Sequence, residues 1–90
     1  MFGYNCNRKV VGGMLEQLFT VVDQDNWFAS DVSQHMGKYK YVRHKHCIVG
    51  YDNFSKAEKW KNELQEKMNK THLGYIFKVV KCNIYTSKIN

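Results

Sequence analysis

Val10-Val11-Gly12-Gly13-Met14-Leu15-Glu16-Gln17-Leu18-Phe19-Thr20-Val21-Val22-Asp23 is the stretch on which the architecture turns. Val10, Val11, Met14, Leu15, Leu18, Phe19 and Val22 recur at three- and four-residue spacing, the period of an amphipathic helix, so a helix is expected over Val10 to Asp23. Gly12-Gly13 is its weak point, because an interior glycine costs a helix about 1 kcal/mol relative to alanine. The pair is read as close packing near the helix start. Neither GxGxxG nor GxxxxGK is present, which argues against a phosphate-cradling loop.

Working outward, Phe2, Tyr4 and Cys6 alternate with Gly3 and Asn5, the period of a short first strand. Asp23-Gln24-Asp25-Asn26 is a turn or loop. Trp27 to His35 fits helical and alternating spacing alike, but Met36-Gly37-Lys38 can close a hairpin into the segment that follows, so a strand is expected. That segment is a long strand, Tyr39 to Tyr51. Tyr39, Tyr41, Arg43, Lys45, Cys47, Val49 and Tyr51 share one face, and Lys40, Val42, His44, His46, Ile48 and Gly50 share the other. Cys47, Val49 and Tyr51 are expected in the core, with His44, His46 and Ile48 facing outward.

Asp52 to Ser55 turns into a second helix running to about Asn69. Ser55 and Glu58 form a capping-box pattern, Phe54, Ala57, Trp60, Leu64 and Met68 form the buried stripe, and Glu63 can pair with Lys67 on the solvated face. Asn69 to Gly74 turns the chain again. Tyr75 to Tyr85 is a β-branched, aromatic final strand, and residues 86–90 are expected to fray. Both tryptophans are expected in the core.

The expected order is therefore βαββαβ, an α+β ferredoxin-like sandwich: a four-stranded antiparallel sheet with two helices on one face and the other face open. Ninety residues make one domain, 1–90, hiding about 60–65% of the surface of its unfolded chain. No apolar run approaches the roughly 18 residues of a membrane span, and the N-terminus lacks signal-peptide order, so a soluble, cytoplasmic protein is expected. Cys6, Cys47 and Cys82 are an odd set with no CxxC and are read as buried thiols. The absence of proline, with abundant Lys, Asn, Tyr and Ile, suggests an AT-rich genome such as a phage's.

The motif spacing resembles a divergent RNA-recognition motif. That family carries an aromatic first strand ending in Asn, a helical Leu-x-x-Leu-Phe, and a later strand whose terminal aromatic lies six positions before a helical Ala. Phe2-Gly3-Tyr4-Asn5, Leu15-Glu16-Gln17-Leu18-Phe19, and Ile48-Val49-Gly50-Tyr51 followed by Ala57 match it over most of the chain. The resemblance implies a base-stacking position at Phe2 and three exposed platform positions at His44, His46 and Ile48. This chain departs from the family there: Lys45 and Cys47 replace glycines, and isoleucine offers no π-face.

Fourteen Lys and Arg against eight Asp and Glu give a net charge of +6, which favours nucleic acid or an acidic protein surface as partner. Lys38, Lys40, Arg43 and Lys45 can neutralise phosphates, while Phe2, Tyr4, His44 and His46 offer faces to bases. Lys78 and Lys81, with Arg8 and Lys9, would extend the patch. The bland alternative is an edge strand protected from aggregation by its lysines. His44 and His46 could hold zinc with His35, His72 or a cysteine, but no second ligand pair is written, and no metal or other cofactor is expected. No paired carboxylates or Cys-His nucleophile stand out, so an enzyme is not expected. The expectation is a small RNA-binding or single-stranded-nucleic-acid-binding protein. The alternative is a protein-interaction module, such as a phage-type inhibitor of a host nuclease, toxin or polymerase, with homodimerisation through a strand edge also open.

Overall fold

The computed structural model describes residues 4–6 and 15–85, with side-chain surroundings over residues 18–82. Its elements are β1 (Tyr4–Cys6), β2 (Leu15–Asp23), β3 (Phe28–His35), β4 (Lys38–His44), α1 (Phe54–Asn69) and β5 (Phe77–Tyr85). The sheet order is β1-β5-β2-β3-β4. β5, β2, β3 and β4 run antiparallel to their neighbours, and β1 joins β5 in parallel. The α+β class stands, but the described residues hold one helix where two were expected. The stretch 86–90 and residues 7–14 lie outside the description.

The correction falls on residues 15–23. They form the central strand β2, paired with β5 along its whole length from Leu15↔Tyr85 to Asp23↔Phe77. Leu18, Thr20 and Val22 lie on one face of β2, Phe19 and Val21 on the other, and both faces are covered. Val22 packs with Phe28, Cys47 and Cys82, with Leu18 and Val80 alongside. Val21 packs with Ala29, Val32, Phe77, Leu64 and Met68. A strand buried on both sides has no polar face, so its apolar residues run nearly continuously and fit a helical period by accident.

Asp23 to Trp27 makes the tight connection to β3: Asp23 N–H donates to the Trp27 carbonyl (3.0 Å), and Asn26 takes the left-handed conformation at φ 64°. Met36 and Gly37, both at positive φ, form the two-residue turn between β3 and β4, as expected of a hairpin there. Ser30 is bulged between Ala29 and Asp31, and of the β2–β3 pairing Val22↔Phe28 is the registered pair. Beyond it β2 pairs instead with Tyr51, whose backbone exchanges two hydrogen bonds with Phe19 (2.7 and 2.8 Å).

That exchange explains why the long strand expected over Tyr39 to Tyr51 stops at His44. The chain leaves the sheet edge after His44 and returns beside β2. Thr20 Oγ1 donates to the Val49 carbonyl. Gly50 lies so close to Leu18 that a Cβ there would sit 2.6 Å from Leu18 Cδ1. Cys47 is buried, as expected, but on the face away from α1. The sheet face expected to be open is therefore partly covered by residues 45–51.

α1 lies across the other face through Ala57, Leu64 and Met68, with Trp60 half-buried and its ring 5.7 Å from that of Tyr51. Its N-cap is Asn53, whose Oδ1 accepts from the Ser55 N–H (2.7 Å), rather than Ser55 itself. Gln65 ties the helix to the start of β5, with Nε2 donating to the Tyr75 carbonyl (3.1 Å) and Oε1 accepting from Phe77 N–H (2.8 Å). Cys47 is a buried thiol. Cys82, by contrast, is buried and disulfide-bonded. Replacing Asn53 by alanine is expected to cost about 1 kcal/mol in denaturant unfolding, and Ser55→Ala only a few tenths of that, roughly 0.3 kcal/mol.

Candidate nucleic-acid interface

Alternation along β3 and β4 sorts the candidate cations. Val32↔Tyr41, Gln34↔Tyr39 and Ala29↔Arg43 are cross-strand pairs on the α1 face. Phe28↔His44, Asp31↔Val42, Ser33↔Lys40 and His35↔Lys38 are pairs on the opposite face. Lys78 opposes Val22 on β2, and Val22 opposes Phe28, so Lys78, Val22, Phe28 and His44 form one row across four strands. Neighbouring strands are about 4.8 Å apart, which places the ends of the row about 14 Å from each other.

One surface thus carries Lys38, Lys40 and Lys78, all exposed, with His35 and half-buried His44. Asp31 is the acid among these cross-strand partners. No ion pair among the described residues involves any of the three lysines.

Three expected members lie elsewhere. Lys81 opposes Phe19 on the α1 face, its Nζ 5.9 Å from the Phe19 ring centre, with Phe54 edge-on to that ring at 5.7 Å. Lys45 is exposed but reaches over the Trp27 ring, 5.7 Å from its centre. Arg43 is turned inward. Its Nη1 lies 3.1 Å from Asp25 Oδ2 and 3.3 Å from Asp23 Oδ2, and its guanidinium stacks 4.7 Å from the Trp27 ring centre and 5.3 Å from that of Tyr75. Two carboxylates already hold this cation, so it is a poor phosphate ligand. Trp27, expected in the core, is instead half-buried as the platform for Arg43.

Of the remaining candidates, His46 and Ile48 are exposed but lie in the segment beyond β4, so the platform implied at His44, His46 and Ile48 does not sit on one strand. Phe2, Arg8 and Lys9 lie outside the described residues, as does the side chain of Tyr4.

The clamp around Arg43 is built on Asp23, which is fully buried at the end of β2. Its Oδ1 accepts from the backbone N–H of Asp25 (2.9 Å) and Trp27 (3.2 Å), and its Oδ2 from the Tyr41 hydroxyl (2.8 Å) and Arg43. A buried carboxylate needs such a set of donors to offset its lost hydration. Tyr41 stacks against Tyr75 (4.8 Å) and Phe77 (5.3 Å). Burial, then the hydrogen bond and charge of Asp23, push its ionisation well above the ordinary tyrosine range. Arg43 is likewise held above its usual value: burial opposes its charge, but the hydrogen bonds to Asp25 and Asp23 outweigh that.

A basic groove that the spacing did not reveal lies between the hairpin tip and the last turn of α1. Its two adjoining clefts, of about 370 and 450 Å³, share Tyr39 and Lys70 as walls. Lys67 lines the first, and Lys38 and His72 line the second. Basic residues in a last helical turn are the available sequence signal, but they are common there for helix-dipole reasons alone.

Among the described residues no group of three or more His, Cys, Asp or Glu side chains comes together as a metal site, and no helix is long and apolar enough to cross a membrane. No family model, curated protein or solved structure matches the chain.

Asp23→Ala would leave the Tyr41 hydroxyl, two loop N–H groups and Arg43 without their common acceptor, and is expected to cost about 3 kcal/mol in chemical denaturation. Tyr41→Phe should cost about 1–2 kcal/mol. Because Tyr41 holds its proton more tightly when folded, its contribution is intact below about pH 10 and declines above it. Unfolding followed from pH 9 to 12 should show a shallower alkaline loss of stability in Tyr41→Phe than in the parent.

Proposed function

We propose that this protein binds single-stranded nucleic acid, RNA above all, without catalysing a reaction on it, through the sheet surface that carries Lys38, Lys40 and Lys78. The observation that carries the reading is that these lysines lie on the same face of the sheet with no ion pair among the described residues, while Arg43 is consumed internally. Each lysine can neutralise a phosphate and release its condensed counterion, and the entropy of that release dominates binding of this kind. His44, at the end of the row, offers an imidazole face to a base. With His35 and half-buried His44 as the stacking groups among the described residues of this surface, and no larger exposed aromatic ring beside them, base identity adds little to the affinity. The ligand is held by its backbone.

Three phosphate contacts imply a slope of log affinity against log salt of about −2, so affinity should fall roughly 20-fold between 50 and 200 mM salt. Fluorescence anisotropy with a labelled mixed-sequence RNA of about 4 nucleotides, long enough for this surface alone, tests this. Replacing Lys38, Lys40 and Lys78 together by glutamine is expected to flatten the slope towards zero, and Lys81→Gln to leave it unchanged. Absence of binding at low salt, or a slope that survives the triple substitution, would contradict the reading.

A further inference from the structure

The three sheet lysines end at the hairpin tip, where Lys38 also borders the groove against α1. From there Lys70 and Lys67 continue the line of positive charge along the opposite wall. Both are exposed, and neither is in an ion pair among the described residues. Asp31 is the acid lining the groove.

One effect works against an anion at this place. The C-terminal end of a helix carries the equivalent of about half a negative charge, from carbonyls left without intrahelical donors. In α1 those carbonyls are partly satisfied: Lys67 O accepts from Lys70 N–H (3.1 Å), and Met68 O accepts from Thr71 N–H (2.9 Å) and from Thr71 Oγ1 (2.7 Å). Two full lysine charges, with Lys38 facing them, exceed what remains. With Asp31 counted against them the balance is still positive, and the result is a shallow cationic groove, suited to an extended polyanion and too exposed to enclose a small molecule.

We infer that the groove between the last turn of α1 and the tip of the β3–β4 hairpin is a second phosphate track, in which Lys67 and Lys70 hold the phosphodiester backbone of a strand that has passed over Lys40 and Lys38. The inference rests on the binding proposed for the sheet surface and extends it: the bound strand turns the hairpin tip and occupies both surfaces. The occupied length is then greater than the sheet lysines alone would need.

Two RNA lengths separate the tracks: a mixed-sequence oligonucleotide of about 4 nucleotides, sufficient for one surface, and one of about 12, sufficient for both. Lys67→Gln/Lys70→Gln in the full chain is expected to leave binding of the short RNA unchanged. For the long RNA it should make the salt slope less steep by about 1.4, the contribution of two single-strand phosphates. A parent-like slope with the long RNA overturns the second track and leaves the sheet surface standing. Failure of the unsubstituted protein to bind either RNA overturns both. Both substitutions are on exposed residues, and an unchanged thermal midpoint confirms that the variant is folded.

Discussion

The structure depends on β2 being covered from both sides. Val21 and Val22 are fully buried on opposite faces of the same strand, each contributing about 1.5–3 kcal/mol of transfer free energy. α1 supplies one cover, and the segment around Cys47 supplies the other. The second cover is possible only because the chain leaves β4 after His44 and rejoins β2 at Phe19 through Tyr51. A small protein thereby gains two apolar layers from one sheet, at the cost of a sheet surface that is only partly free.

The same strand ends in the charge that organises the rest. Asp23 is carried into the interior by β2, and four donors gather on it from the following loop and from β4. Arg43 is drawn to the α1 face by this carboxylate and stacked between Trp27 and Tyr75. Lys40 and Lys38, two and four residues towards the hairpin turn from Val42 and on its face, have no such partner among the described residues. Burial of one acid thus divides a basic strand into a structural cation and two available ones, and alternation along β5 adds Lys78 to the available set while removing Lys81.

Much of this was legible in the residues. Gly37 within Met36-Gly37-Lys38 marked the hairpin turn because glycine takes a positive φ without strain, and the stripe Ala57, Trp60, Leu64 and Met68 marked α1 because one side of that helix faces solvent, although Phe54, expected in the same stripe, is exposed. β2 was not legible, since alternation disappears when both faces are buried. The break after His44 was hidden for a related reason: Lys45 to Tyr51 keeps strand-like residues but is held by Thr20 and Phe19, contacts more than 25 positions distant in sequence. Alternation put Arg43 and Lys40 on opposite faces, but the carboxylates that hold Arg43 lie 20 and 18 positions away in sequence, at Asp23 and Asp25, and no local pattern shows them. Lys67 and Lys70 belong to a groove made by two elements far apart in the chain, and no local pattern announces it.

The identity of residues 15–23 as a doubly covered strand is the claim from which the charge map follows, and nuclear Overhauser contacts in the isotope-labelled protein test it most directly. The account predicts cross-strand contacts of Phe19 with Lys81 and with Tyr51, and of Val21 with Val79, together with extended backbone shifts across Leu18 to Val22. Sequential amide contacts and helical shifts over the same residues would contradict it.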